Sequence, residues 1–330
     1  MIIAPQPEHD SHGEIVGSSA ALLATLAQIR RIAASEAPVL IEGETGSGKE
    51  LAARAVHYWG PRNTGPFVPV NCGALPDQLL EAELFGHERG AFTDAKLARR
   101  GLVAEANGGT LFLDEVDALS AKAQITLLRF LQDQRYRPLG SSREFSSNVR
   151  FVAATNQPLA DATQLGHFRS DLMYRLKILH LVLPPLRARL GDAELLAQHF
   201  VGQLCAKYRL PLKRFDADTL VWIRGQAWPG NVRELENWVH RMLLMADGST
   251  IHAMLETPTI VPDAVIARGI DNFQHAKAEA VRQFERNYVI VVMREAGGNV
   301  TRAAQIAGKE RRAFGKLIKK LGIDRLAPAD

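Results

Sequence analysis

The stretch 39-VLIEGETGSGKE-50 decides the fold. Residues 39–41 are apolar and read as a short buried strand. Gly43, Gly46 and Gly48 then allow a tight loop whose backbone N–H groups turn inward on phosphate oxygens. The helix that follows the loop adds positive potential at its N-terminus. Lys49 is placed to reach β- and γ-phosphates, and the spacing fits G-x-x-x-x-G-K. A glycine-rich turn beside a chance lysine has the same composition, but lacks the strand before and the helix after. The nucleotide contacts expected here are Gly43, Glu44, Thr45, Gly46, Ser47, Gly48, Lys49 and Glu50. Glu50 departs from the motif, which usually has Ser or Thr there to hold Mg²⁺.

A second stretch, 110-TLFLDEVD-117, is a buried strand ending in two acids. Asp114 at the strand end would hold Mg²⁺ and its waters, and Glu115 would polarise an attacking water. Many strands end in surface acids, so this pair is weak alone. Beside the phosphate loop it points to nucleotide hydrolysis over mere binding.

Outward from these motifs, apolar segments at 67–70, 149–153 and 178–183 alternate with amphipathic helical patterns at 20–33 and 121–132. That alternation predicts an α/β domain with a parallel sheet over 15–185. Residues 186–246 read as helices only, a helical lid over 186–247. Residues 248–272, with Pro258, Pro262 and Gly269, read as a linker, 273–330 as an all-α unit, and 1–14 as a disordered lead.

Composition narrows the classes. Of the 330 residues, 46% are hydrophobic and 23% charged, ordinary for a globular protein. No apolar run reaches the ~18 residues of a membrane span, and the start MIIAPQPEHD lacks the basic flank of a secretory signal. The two cysteines, Cys72 and Cys205, lie far apart, which fits a cytoplasmic, reducing compartment without disulfides.

Charge is concentrated at one end. Residues 299–330 hold eight basic and three acidic side chains, a balance of +5 against +4 for the whole chain, so the first 298 sum to −1. The excess coincides with 299-NVTRAAQIAGKERRAFGKLIKKLGI-323. There Asn299 can cap a helix through Ile306, Gly308 can make a turn, and a basic second helix follows. This reads as a helix-turn-helix for double-stranded DNA. Arg311 and Arg312, near the start of the second helix, are candidates for base edges, and Lys316, Lys319 and Lys320 for phosphates. A solvated helix face is the bland alternative for any one lysine. Just upstream, Val281, Phe284, Tyr288 and Val291/Val292 form an apolar stripe suited to packing or dimerisation.

These motifs, with 91-AFTDA-95 between them, resemble the AAA+ domain of bacterial enhancer-binding proteins, the sigma-54-dependent transcriptional activators, over about 15–247. The C-terminal unit resembles that family's Fis-type module. Glu after the phosphate-loop lysine is common in the family, so Glu50 ceases to be a departure. The resemblance implies further roles. Asn71 would hold the catalytic glutamate inactive until ATP is engaged. Thr155–Asn156 would sense the γ-phosphate. Arg169 and Arg175 would serve a neighbouring subunit's nucleotide, although surface arginines pairing with Asp171 would look the same. Arg233 would be a second sensor on the lid, and Ile15, Val16 and Gly17 would pack on adenine. A trans arginine requires a ring, and the family's ring is a hexamer, with a dimer possible at rest.

The loop 85-FGHERGAFTDAKLARRG-101 carries the remaining resemblance. In the family it projects into the ring's pore, and Phe92–Thr93 would grip the sigma factor of the sigma-54 RNA polymerase holoenzyme. Phe92 is therefore expected in solvent, the alternative being that it folds back onto the ring core. Asp94 stands where the family usually has Gly, adding a like charge per subunit in the pore. The reading favoured is an ATP-hydrolysing activator that binds upstream enhancer DNA, associated with the nucleoid when bound. The alternatives are a DNA-binding repressor or accessory regulator with an altered sigma contact, and a general AAA+ remodeller. Only about 14 residues precede Ile15, so control is expected from a separate regulatory protein, a co-activator or concentration.

Overall fold

The computed structural model describes residues 15–74, 77–92, 95, 97–252, 282, 285, 288–289, 292–293, 296–297 and 299–320. Thr93, Asp94, Val281, Phe284, Val291, the proposed lead and 253–272 of the proposed linker lie outside the described residues, as does the side chain of Lys320. The chain forms two compact units, Met1–Met254 and Leu255–Asp330.

The first unit is built on five parallel strands: β1 (Val39–Glu42), β2 (Phe67–Asn71), β3 (Thr110–Asp114), β4 (Arg150–Thr155) and β5 (Leu179–Val182). Their order across the sheet is β2-β3-β4-β1-β5. Every position of β1 and β4 is buried, as are the first four of β3. That explains their unbroken apolar runs, because helices cover both faces of a parallel sheet. On one face pack α1 (Ala20–Ala33) and α2 (Lys49–Tyr58), with Ile29, Ala53 and Val56 against Ile41, Phe112 and Val152. On the other pack α3 (Ala121–Asp133) and α4 (Ser170–Leu176), with Leu127, Phe130 and Leu172 against Leu111, Leu113 and Phe151. Each such large apolar side chain contributes roughly 1.5–3 kcal/mol by leaving water.

Arg150, 1% exposed, ties the layers together. Its guanidinium donates to the carbonyls of Ile32 and Ala33 at the end of α1, and of Val56 in α2. A cation suits the negative ends of two helices.

A helical lid follows, with α5 (Asp192–Tyr208) and α6 (Asn231–Met245) packed through Leu196, Val201, Leu235 and Val239. Here the structure adds to the helices-only reading. Arg214–Phe215 pairs in parallel with Thr250–Ile251, so residues at the start of the expected linker join the lid. Two residues per strand are too short to produce a readable alternation.

In the second unit, Asn299 caps α7 (Val300–Ile306) by accepting from the N–H groups of Thr301 and Arg302. Gly308 at φ +60° makes the turn into α8 (Arg311–Lys320). Phe314 and Ile318 pack on Ala303, Ala304, Val289 and Val292. Arg311, Arg312, Lys316 and Lys319 are exposed. Of the apolar stripe, Val292 is buried and Tyr288 is 40% exposed.

Candidate active site

The C-terminal ends of β1, β3 and β4 converge on one cleft, the usual place for a ligand in an open parallel sheet. β1 delivers the loop 43–48. Gly46 at φ +76° and Gly48 at φ +99° occupy backbone territory that other residues reach only with strain. A Cβ on Gly46 would also stand 2.3 Å from the carbonyl oxygen of Gly230 on the lid. Lys49 opens α2 and is 8% exposed. Its Nζ donates to the carbonyls of Gly43 (2.8 Å) and Glu44 (3.3 Å) and to Asn156 Oδ1 (2.6 Å), which uses all three ammonium protons. Burial lowers its pKa, while Asp114, Glu115 and Asp117 pull it back up and Arg233 pushes it further down.

Asp114 closes β3, accepting the Glu115 N–H at 3.0 Å. Burial raises its pKa, and Lys49 counters that. Glu115 sits at φ 54°, a left-handed turn that lifts the acid pair off the strand. Thr155 Oγ1 lies 2.8 Å from Asp117 Oδ1, bracing the acidic turn from β4. Next to Asn71, Cys72 is an inert thiol, pushed up to about 12 by burial.

Ser47 Oγ is buried with no hydrogen-bond partner among the described residues. A buried orphan hydroxyl in a glycine loop is what a phosphate oxygen would satisfy. A single carboxylate at the strand end suits Mg²⁺, which takes one or two carboxylates plus phosphate oxygens. Among the described residues no cluster of three or more His, Cys, Asp or Glu forms a separate metal cage. Beside the loop lies a cavity of about 270 Å³, lined by Ile15 and Val16, by Ser47 and Gly48, and by Leu196 and Phe200 of the lid. Gly17 is next to it, at φ +155°.

Asn71 Oδ1 accepts the Gly73 N–H at 2.8 Å, closing a local turn, and is not bonded to Glu115. Glu115 and Asn71 do flank the same glycine: a Cβ on Gly73 would stand 2.6 Å from Glu115 Oε2 and 3.5 Å from Asn71 Oδ1. Arg169 forms a two-point pair with Asp171 in its own chain, at 3.0 and 2.7 Å. Arg175 is exposed with no partner among the described residues. Glu50 is exposed and bonds Arg54 one turn along α2, while Thr45 is exposed at the loop tip. Arg233 is exposed, its Cβ 3.0 Å from where a Gly46 side chain would begin.

Phe92 departs from the solvent-exposed expectation. It is half-buried, its ring centroid 5.0 Å from that of His87. The chain curls back through the bonds Ala91 N–H to Glu88 O and Ala95 N–H to Phe92 O, with Gly90 at φ +82°, and this returns the ring to its own loop.

Other lid residues in contact with the site were not anticipated. Asn231, fully buried at φ 53°, donates to Glu44 Oε2 and to the Thr45 carbonyl and accepts from Leu186 N–H. Arg187 holds Glu44 in a two-point pair, and this pair first, then Asn231, lowers the Glu44 carboxyl to about 2. Arg189 and Asp192 form a second contact. The signal in the sequence was an Arg-x-x-Asp spacing at a helix start and an Asn after Pro-Gly, both too short to separate from ordinary caps.

Fold and site together define an AAA+ nucleotide-site domain with a parallel sheet and helical lid, followed by a helix-turn-helix unit. Residues 15–182 match the Sigma-54 interaction domain, 187–261 the AAA+ ATPase lid domain, and 280–321 the Bacterial regulatory protein, Fis family. The chain belongs to the sigma-54-dependent family of transcriptional activators. It is 41% identical over 324 residues to the Transcriptional regulatory protein GlrR of Escherichia coli (strain K12), covering 97% of this chain and 71% of that protein. It is 40% identical over 321 residues to the Regulatory protein AtoC of the same strain, covering 96% and 69%. Among solved structures, NtrX from Brucella abortus in complex with ADP superposes with a TM-score of 0.69, at 32% identity over 94% of this chain and 70% of that one. NtrX in complex with ATP gives 0.67 at the same identity and coverage. Among the described residues no helix is long and apolar enough to cross a membrane.

Proposed function

We propose that this protein binds and hydrolyses ATP, assembles into a hexameric ring, docks on upstream enhancer DNA through α8, and remodels the closed sigma-54 RNA polymerase complex. The observation that carries the reading is the convergence of Lys49, Asn156 and the Asp114–Glu115 pair on a glycine loop with an unsatisfied Ser47 hydroxyl. Lys49 would exchange its carbonyl and amide partners for phosphate oxygens. Mg²⁺, held by Asp114, would neutralise charge on the phosphates. Glu115 would orient and deprotonate water, a role worth ~10²–10⁴ in rate. Asn156, already bonded to Lys49, would report on the terminal phosphate. Arg169 and Arg175 would leave their present surroundings for a neighbour's nucleotide, and Arg233 would close the lid over the phosphates.

Phe92 and Thr93 would contact sigma-54. Phe92 is already half out of its packing, and one ring contact with His87 is a weak restraint, ~0.5–1.5 kcal/mol. The loop can therefore extend when hydrolysis moves it. Asp94 supports a second reading, a DNA-binding regulator whose sigma contact is altered.

The deciding experiment traps the purified protein with ADP–AlFx and measures sigma-54 binding, with wild type, Asp94→Gly and Phe92→Ala side by side. Binding by wild type but not Phe92→Ala is expected. Binding by Asp94→Gly alone would instead establish the altered-contact reading. Failure of both wild type and Asp94→Gly, with ATPase intact, would point to a different remodelling target.

A further inference from the structure

We infer that the buried pair Arg189–Asp192 is the positioning device for the base-binding wall of the ATP site, joining the chain's entry segment to the lid; this rests on the nucleotide reading above. Asp192 is 0% exposed and Arg189 6%. Asp192 Oδ1 accepts the N–H groups of Ser18 (2.7 Å) and Ser19 (2.9 Å). Its Oδ2 accepts the Ser19 hydroxyl (2.8 Å) and Arg189 Nε (2.9 Å). Arg189 Nη2 donates to the Val16 carbonyl at 3.1 Å. Ser19 Oγ in turn accepts the Leu22 N–H and caps α1. One carboxylate thus fixes the start of α1 and the start of lid helix α5.

The contact leaves no slack. A Cβ on Gly17 would stand 2.6 Å from Asp192 Oδ2 and 2.3 Å from Leu22 Cδ2. The chain between Val16 and Ser19 can lie against the carboxylate only because residue 17 has no side chain. What the contact positions is the cavity beside the phosphate loop. Ile15 and Val16 form one wall, and Leu196 and Phe200, one and two turns along the helix from Asp192, form the other. Arg189 lines that cavity and Asp192 does not, so Asp192 acts through Arg189 and the walls and not by touching a ligand. A buried charge whose partner is removed leaves the other charge unpaired, so the walls should separate when the pair is broken.

The consequence is specific. The device serves the base and not the triphosphate, because Lys49, Asp114 and Glu115 are held by separate contacts just past β1 and β4 and at the end of β3. The test uses the full chain with Asp192→Asn, which keeps the volume but presents an N–H₂ to donors. ATP affinity is expected to fall about tenfold or more. The turnover rate at saturating ATP should stay within about twofold, and inorganic triphosphate, used as a competitor that lacks a base, should bind as it does to wild type. Equal weakening of both ligands would reduce the pair to a fold-stabilising contact and overturn the inference, as would unchanged ATP affinity. Wild type failing to bind ATP at all would sink the nucleotide reading instead. Should Asp192→Asn not fold, Ser19→Ala removes the hydroxyl's bond to Asp192 and its cap on Leu22 N–H while keeping the ion pair. It should weaken ATP by about threefold with triphosphate unaffected.

Discussion

Asn231 Nδ2 stands 3.1 Å from Glu44 Oε2, so the lid and the phosphate loop share a hydrogen bond before any nucleotide is considered. The same amide reaches the Thr45 carbonyl, and the next residue's N–H bonds the Gly46 carbonyl at 3.0 Å. Asn231 holds this place at φ 53°, a left-handed conformation that asparagine tolerates better than most side chains. Replacement by alanine should cost ~2–4 kcal/mol, from orphaned buried partners plus backbone strain. Asn231→Gly loses the same side chain without the strain, so it should be less destabilised than Asn231→Ala by ~1 kcal/mol. Urea unfolding of the two variants measures the difference, and equal midpoints would remove the strain contribution.

His57 makes stability pH-dependent. It is 1% exposed in α2, its Nδ1 2.9 Å from Thr110 Oγ1, and burial lowers its pKa to about 4. The folded chain therefore keeps the ring neutral while the unfolded chain protonates near 6.5. The stability this group contributes is full above 6.5 and is lost as pH falls from there toward 4. The full loss is ~3 kcal/mol at most. Thermal melts of wild type should decline across that window more steeply than those of His57→Gln, which bears no titrating ring. Parallel melting curves would show that the ring takes up its proton inside the fold.

Much of this fold was legible because its signals are local. The strand at Val39–Glu42 and the acids after Thr110–Asp114 are each set by a few adjacent residues, buried on both faces of a parallel sheet. Helix Ala20–Ala33 and the cap at Asn299 were readable for the same reason. What was not legible is non-local. Glu44 meets Asn231 from 187 positions away, and Asp192 meets Ser18 from 174. No window of sequence contains both partners, and an isolated Asn or Asp at a helix start looks like an ordinary cap. Phe92 shows the converse error: glycine and charge around it argued for solvent, yet His87 five residues earlier supplied a ring to pack on.

The exposed cations of α8 should divide by role. Arg311→Ala should cost ~1–3 kcal/mol on a preferred DNA site and relax specificity there. Lys319→Ala should weaken binding evenly across sequences and lower the salt slope by about one. Both side chains are exposed, so neither change should disturb folding. Titrations at several salt concentrations separate the two, and identical behaviour would mean that both touch phosphate.

Arg169 should be catalytic only between subunits. In the single chain its guanidinium is spent on Asp171, and both side chains are 46% exposed, so the pair contributes little to stability. Arg169→Ala should therefore leave the melting temperature unchanged. If the arginine serves a neighbour's nucleotide, the same variant should lose ~10³-fold or more in ATP turnover. Glu115→Gln should be equally inactive, for a different reason: its own site cannot activate water, but its arginine is intact. Mixing the two dead variants then distinguishes the arrangements. In a mixed ring, some sites combine an intact Glu115 from an Arg169→Ala subunit with an intact Arg169 from a Glu115→Gln neighbour, and those sites should turn over. Recovery of ATPase on mixing is the expected outcome. A mixture as inactive as its components would place both residues in one subunit's site, and an Arg169→Ala protein with full activity would leave Arg169–Asp171 as a surface ion pair.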